Sequence, residues 1–398
     1  MKCIIAAPIV LMLATSAAPA QVVTTTRIAA FGTAVPGIGP GGPETFASFG
    51  LFPSIDGSTV SFYGTTSGND TIGAHSDIYT STGGTISYFV HASAGIPNGT
   101  GNFTSYNPSF RYQQGNAVFV GSGTGQSGVY VSDGTTISRF ADLNTAIPNG
   151  TGNFTSFSPF PSVAGLGSGA TVAFTGSGSG GQAGIYFALQ SLSIVGVVAD
   201  RNTQVPGGLN GNFTAFGSNP SFSGFNVAFR AGFGGTSLNG VYVYDATNGM
   251  RLTIADSNTP LPNGSGTFST TFFEPTVSGS NVSFINNNGV YALIGGTLKT
   301  IADTSTPSPN GSGNFTTISA YAPISGNEIA FIGNTATTKG VYLYDGAALH
   351  TLLDNSSSTF DGKTLAATPF FLGPDGINGN SVAFGVSFTS PSSTGVYE

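Results

Sequence analysis

ADSNTPLPNGSGTF, running from Ala255 to Phe268, recurs along the chain and decides how the rest is read. ADLNTAIPNGTGNF begins at Ala141, ADRNTQVPGGLNGNF at Ala199 and ADTSTPSPNGSGNF at Ala302. HASAGIPNGTGNF at His91 is a weaker copy. Self-similarity of this kind marks a repeat architecture, in which each unit buries its apolar face only against its neighbours.

Two aromatic ladders give the period. One is the Phe ending a V-A-F-like run: Phe62, Phe119, Phe174, Phe229, Phe284, Phe331 and Phe384. The other is the Tyr of G-V-Y: Tyr79, Tyr130, Tyr186, Tyr242, Tyr291, Tyr342 and Tyr397. The Phe rungs lie 47 to 57 residues apart, so seven units account for the chain after its first stretch. Within Asn219 to Asp256 the unit reads as four short strands: NPSFS, NVAFRA, VYVYD and MRLTIAD. β-Branched and aromatic runs bounded by Gly, Asn and Asp carry that reading, and no segment holds a helical period. Four strands per unit at this period predict an all-β, seven-bladed β-propeller with four antiparallel strands per blade. A β-solenoid is the rival, with shorter and less strictly punctuated coils.

The ends fit a closed ring. NSVAFGVSFTSPSSTGVYE stops at a third strand, and RIAAFGTAVPGIG from Arg27 aligns with RFADLNTAIPNGT from Arg139. Arg27 to Phe31 is therefore expected to be the fourth strand of the blade begun near Ala366. A ring closed this way leaves no free sheet edge between first and last blades.

The chain has 398 residues, of which only 7% are charged, with 60 Gly, 32 Phe and 14 Tyr. The net charge is -7, and no basic run occurs. That balance argues against nucleic acid and against anionic membrane surfaces as partners. Residues 1–20 read as a secretory signal: Lys2, an apolar CIIAAPIVLMLA run, and Ala18-Pro19-Ala20 before Gln21. Residues 21–398 then form one propeller domain, exported, with no integral membrane segment and expected to be a monomer. The single cysteine, Cys3, lies in the signal, so no disulfide framework is expected.

Asp142, Asp200, Asp256, Asp303 and Asp354 share one position after the fourth strand, and His91 and Ala30 occupy it in the other units. Short polar residues there accept hydrogen bonds from the following turn, supported by Thr145, Thr203, Thr259 and Thr306. The alternative is calcium binding, for which each copy offers one carboxylate against the six to eight oxygens calcium takes. Asn98, Asn149, Asn263 and Asn310 precede Gly and suit turns of positive φ; on long loops of one face they are also ligand-binding candidates. Phe46, Phe103, Phe154, Phe213, Phe268 and Phe315 are expected to fill the seams between blades. The tight turns, Asp56-Gly57 and Asp345-Gly346 among them, fall on the opposite face.

Catalysis needs an asymmetric set of groups, so the search turns to breaks in the repeat. The loop GTTSGNDTIGAHSD of the first blade carries Asp70, His75 and Asp77, and His91 replaces the repeated Asp nearby. These four are the candidates for a metal site or a His–Asp acid/base pair, against solvated loop residues. Arg111, on an inner strand, is a candidate for the central channel or the rim, and Glu274 is similar. No G-x-S-x-G elbow or phosphate-cradling Gly loop occurs. The Asn-x-Ser/Thr triplets, such as Asn102-Phe103-Thr104, fall out of the repeat itself.

On the ladders, the four-strand unit and the shared blade, the chain resembles the seven-bladed β-propeller class. It lacks the Gly-His and Trp-Asp marks of WD40 repeats and the kelch double glycine. ADxxTxxPNGxGNF…VAF…GVY resembles the repeats of exported bacterial proteins of unassigned activity. The resemblance implies fold and export, and no activity. Three functions fit: multivalent, non-catalytic binding of glycan or surface polymer; cleavage of polysaccharide or ester; or a structural role at a surface or matrix. No cofactor is expected besides the calcium alternative.

Overall fold

The structure, a computed structural model, describes residues 23–36, 44–68, 74–91, 93–166, 169–190, 194–207, 211–235, 237–264, 266–319, 321–390 and 392–398. Residues 1–20, read as a signal, lie outside them. The described residues form seven antiparallel sheets, and the chain is an all-β, seven-bladed propeller. In the fourth blade Ser221–Ser223, Asn226–Phe233, Gly240–Asp245 and Met250–Asp256 run from the axis outward. The seventh blade combines both ends of the chain. Arg27–Ala30 pairs antiparallel with Ser392–Tyr397, Arg27 opposite Tyr397 and Ala30 opposite Gly395.

In the first six blades the inner strand is interrupted at one place, and in the seventh Lys363–Asn378 runs on but shifts register around Pro374. In the first blade Phe46–Phe49 and Ser54–Asp56 both pair with Thr59–Thr66. Pro53 sits at the break, and Pro161, Pro220, Pro275, Pro323 and Pro374 sit at the same place in other blades. Proline has no N–H to give the ladder, and only an edge strand tolerates that loss. In the third and fourth blades the serine after the proline hooks one blade to the next. Ser162 Oγ accepts from Phe222 N at 3.0 Å, and Ser221 Oγ from Val277 N at 3.1 Å.

The ladders meet as direct cross-strand partners in every blade, from Phe62 opposite Tyr79 to Phe384 opposite Tyr397. A third ring stands on each pair. Phe46 lies 4.9 Å from Tyr79 at 85°, Phe154 4.9 Å from Tyr186 at 86°, and Phe315 4.9 Å from Tyr342 at 89°. Edge-to-face contact is the favoured aromatic geometry. The third ring also explains a glycine. A Cβ at Gly64, Gly121, Gly176 or Gly333 would come within 2.7 Å of Phe46, Phe103, Phe154 or Phe315 respectively.

Seven apolar clusters result, each built from two consecutive blades. One joins Ala29, Ala383 and Val396 of the seventh blade to Phe46, Phe62 and Tyr79 of the first. The motif phenylalanines fill the seams, as the sequence implied, and Phe360 takes that part in the seventh blade at 4.9 Å from Tyr397. Phe315→Ala is expected to destabilise the ring by about 3–5 kcal/mol through the cavity it leaves. Phe225→Ala, at a turn where the ring is 51% exposed, should stay within about 0.5 kcal/mol. Urea unfolding of the two variants beside the parent checks both values.

Candidate functional site

The repeated connection is a small bridged turn of fixed geometry. Asp142 Oδ1 accepts from Asn144 N at 3.0 Å and from Thr145 Oγ1 at 2.9 Å, while Thr145 Oγ1 accepts from Asp142 N at 2.9 Å. Asp200, Asp256 and Asp303 repeat the same set with Thr203, Thr259 and Thr306. Phe154 N then donates to Thr145 O at 3.0 Å, which fixes the seam ring. Where Ala30 replaces the Asp, Thr33 Oγ1 still accepts from Ala30 N at 3.0 Å. Where His91 replaces it, His91 Nδ1 takes the acceptor role toward Ser93 N at 3.1 Å.

Successive turns are also tied together. Asn149 Nδ2 donates to Asp200 Oδ2 at 3.4 Å, and Asn310 Nδ2 to Asp354 Oδ2 at 2.6 Å. Asn98 and Asn149 adopt φ of 57° and 56°, the left-handed turn conformation their Asn-Gly pairs imply. Asn263 lies exposed in the corresponding loop. The five aspartates therefore cap five separate turns, and the fold does not bring them together around one ion.

These carboxyls are tuned by their turns. Burial alone would raise Asp142, but hydrogen bonds from Arg139 and Thr145 outweigh it and hold the group below its ordinary range. Asp303 and Asp354 are likewise lowered: burial opposes, and Ser305 with Thr306, or Ser356 with Asn310, prevail. A carboxyl lowered in the folded state contributes stability above its unfolded value of about 3.9, and loses it as pH falls through the folded value. The melting temperature is thus expected to hold from pH 7 to about 5 and fall below about 4, with a shallower acid limb in Asp303→Asn. Calorimetry across that range tests it.

At the axis, buried charged and aromatic side chains stand beside a cavity of about 140 Å³ lined by inner-strand residues, Ile55, Tyr112, Phe222, Val277, Ile324 and Asp375 among them. Arg111 is 1% exposed, donates to Ser162 Oγ at 3.4 Å and lies 3.5 Å from Asp375 Oδ1. Arg111 and Asp375 occupy the same repeat position, after the break in the inner strand, one in the second blade and one in the seventh. Desolvation raises the Asp375 carboxyl, Arg111 opposes it and Asp56 adds to it. Glu274, 8% exposed, pairs with Arg230 at 2.7 Å. Asn219 donates to the Tyr321 hydroxyl at 2.7 Å, and the Tyr321 ring meets Phe52 at 5.4 Å across the axis. Arg111 thus belongs to the interior of the ring and not to its loop face.

The first blade is where the repeat breaks most. Asp77 begins the third-strand core where six other blades have Gly128, Gly184, Gly240, Gly289, Gly340 and Gly395. At Gly128 and Gly184 an added Cβ would come within 3.1 Å of the Asp142 or Asp200 Cβ. The first blade keeps one carboxylate there by moving it across the strand pair, from position 91 to 77. Asp77 is fully buried and His75 is 8% exposed. His75 Nε2 lies 3.0 Å from Asp77 Oδ2 and 3.9 Å from Glu44 Oε2. Thr66 Oγ1 stands 3.3 Å from His75 Nδ1, and the His75 and His91 rings are 5.3 Å apart at 31°. Tyr79 donates to Asp77 Oδ2 at 3.1 Å, and the Tyr106 hydroxyl donates to His91 O.

His75, Asp77 and His91 thus come together, whereas Asp70 lies outside the described residues. Among the described residues they are the one group of three ligand-type side chains whose donor atoms all fall within 4.8 Å. Glu44 was not legible as a site residue. Its signal was present: it stands where Gly101, Gly152, Gly211, Gly266 and Gly313 adopt positive φ in other blades.

No family model and no curated protein matches the chain. Among solved structures it is similar to the β-propeller domain of the Trilobed protease from Pyrococcus furiosus, at 11% identity and a TM-score of 0.35, covering 79% of this chain and 98% of that one. It is similar to the Cps50 (Swd1) β-propeller domain of Myceliophteria thermophila, at 9% identity and 0.39, covering 89% and 99%. A prolyl endopeptidase aligns at 12% identity and 0.48, covering 85% of this chain. The chain spans 46% of that enzyme's length. Among the described residues no helix is long and apolar enough to cross a membrane.

Proposed function

We propose that the protein is an exported, non-enzymatic propeller whose repeated loop face binds a neutral, hydroxyl-rich polymer, a glycan above all, at several equivalent places. One observation carries this reading: a groove on that face built from the repeat itself. Pro148 and Asn149 form one wall, Gly180 to Ala183 the second, and Asp200 to Asn202 the third, around about 230 Å³. Pockets for single drug-sized ligands run to about 300–1,000 Å³, so a groove of this size suits one residue of a polymer at a time. Hydrogen bonds between successive turns hold the walls in place, which limits the ordering cost of binding. The scarcity of charge suits neutral hydroxyls, and several weak contacts to one polymer compound through avidity.

Cleavage of polysaccharide or ester is supported only by the His75–Asp77 pair at 3.0 Å. Asp77 has no exposed surface, so a polymer on the loop face stops short of it.

A glycan array probed with the chain, with and without calcium, is the direct test. Saturable binding to one sugar class is expected, unchanged by calcium because the aspartates serve their turns. Asn202→Ala with Arg201→Ala removes one groove wall and should lower polymer affinity by about tenfold, while leaving single-sugar inhibition at the other blades. A blank array, or polymer affinity indifferent to those substitutions, sinks the reading.

A further inference from the structure

We propose that Glu44, His75, Asp77 and His91 form a site for one divalent transition-metal ion of the zinc class. The site lies at the first blade's counterpart of the groove position, on side chains the other blades do not carry, and its test does not depend on polymer binding.

The first argument is sequence position. In a chain with 7% charged residues, two carboxylates occupy places where the other blades carry glycine: Glu44 at the Gly152 position and Asp77 at the Gly184 position. His91 stands where Asp142 and Asp200 stand. His75 stands where Gln126 and Gln182 stand. Four departures at four separated positions converge on one point of one blade, three of them buried.

The tyrosine ladder does not account for them. Tyr79 donates to Asp77 at 3.1 Å, so one carboxylate is explained as its partner. The seventh blade also lacks the ladder Asp, and it meets the same need differently. There Tyr397 donates to Asp361 Oδ2 at 2.9 Å, and Arg27 neutralises Asp361 at 3.0 Å. That solution uses neither histidine nor a second carboxylate. Two histidines and Glu44 therefore remain in the first blade with no packing role that the seventh blade shares.

The second argument is donor chemistry. Zinc binds imidazole nitrogen and carboxylate oxygen at about 2.0–2.2 Å, which puts tetrahedral donors about 3.3–3.5 Å apart. His75 Nε2 and Asp77 Oδ2 are 3.0 Å apart, the donor atoms of His75, Asp77 and His91 all lie within 4.8 Å of one another, and Glu44 Oε2 is 3.9 Å from His75 Nε2. Two imidazoles with two carboxylates suit a first-row transition metal, whereas calcium takes six to eight oxygens. One M²⁺ ion neutralises the two carboxylates beside His75 Nε2, which burial otherwise makes costly.

The third argument is the outer shell. A metal-bound histidine turns its other nitrogen to a hydrogen-bond partner that fixes the ring. Thr66 Oγ1 stands 3.3 Å from His75 Nδ1, and Ser93 Oγ 2.8 Å from His91 Nδ1. With Nδ1–H donating to Thr66, the His75 Nε2 lone pair turns toward Asp77 and Glu44, while Ser93 holds the His91 ring through Nδ1.

The test is equilibrium dialysis of the full chain against zinc chloride with elemental analysis, followed by titration calorimetry and cobalt(II) absorption. One zinc per chain is expected, together with the visible band of a tetrahedral cobalt(II) centre. The double substitution Asp77→Gly with His91→Asp restores the Gly–Asp pair of blades two, three, four and six, so it keeps the fold. It should abolish stoichiometric zinc while circular dichroism stays unchanged. Thr66→Val, which removes the hydroxyl that meets His75 Nδ1 and accepts from the His75 N–H, should weaken zinc about tenfold at unchanged stoichiometry. His350→Ala, which breaks the surface pair with Asp345 at 2.7 Å, should change nothing. Absence of bound zinc in the parent chain, or equal zinc in the double variant, overturns the proposal.

Discussion

Every blade depends on one edge-to-face contact, the motif phenylalanine standing on the tyrosine of the third strand at 4.8–4.9 Å. The contact links scales. Its backbone end is held by the turn: the Thr carbonyl accepts from the Phe N–H, and the same Thr side chain is held by the aspartate. Its ring end lies in the seam between blades, among residues of both. A loop of polar residues is thereby locked to an apolar core through one aromatic side chain. This explains why a propeller with so few charges keeps its aspartates. Each carboxylate sets a turn, the turn sets a ring, and the ring closes a seam.

The same contact explains what was legible in the sequence. The ladders read clearly because Phe and Tyr are direct cross-strand partners, so their spacing survives loops of differing length. The closing strand read clearly because Arg27 onward repeats the fourth strand and turn found at Arg139. Legibility failed where a role was filled without its usual residues. Phe360 takes the seam position after DNSSST, which lacks the PNG signature. Asp361 serves Tyr397 from the connection instead of the strand. Glu44 replaces a turn glycine and so looks like loop sequence, although its carboxylate is buried. The axial groups were hidden for a different reason. Arg111 and Asp375 meet only because seven inner strands converge, and nothing local to either residue announces the other.

Symmetry is broken in two places, and they differ in kind. At the axis the breaks satisfy one another: Arg111 faces Asp375, Arg230 faces Glu274, and Tyr321 faces Asn219 and Phe52. Seven identical inner strands would place seven identical side chains at one crowded point, so a ring of this size needs differing residues to fill its centre. The cause is steric and electrostatic, and it holds whatever the protein binds.

The first blade answers no such crowding. It lies off the axis, where six neighbours show that glycine at the third-strand position and aspartate or a substitute near the tyrosine are sufficient. The seventh blade departs from that pattern and returns to neutrality with one arginine at 3.0 Å from its aspartate. The first blade departs and gathers two carboxylates and two imidazoles instead. Burying two facing carboxylates is unfavourable by several kcal/mol unless a cation stands between them. Imidazolium provides one positive charge per ring, spread over two N–H bonds that point to different sides of the ring. A divalent ion provides two charges at one point and satisfies all four donors together. The donor spacing favours the second arrangement, because His75 Nε2 meets two carboxylates at once, at 3.0 and 3.9 Å, and the donor atoms of His75, Asp77 and His91 lie within 4.8 Å of one another.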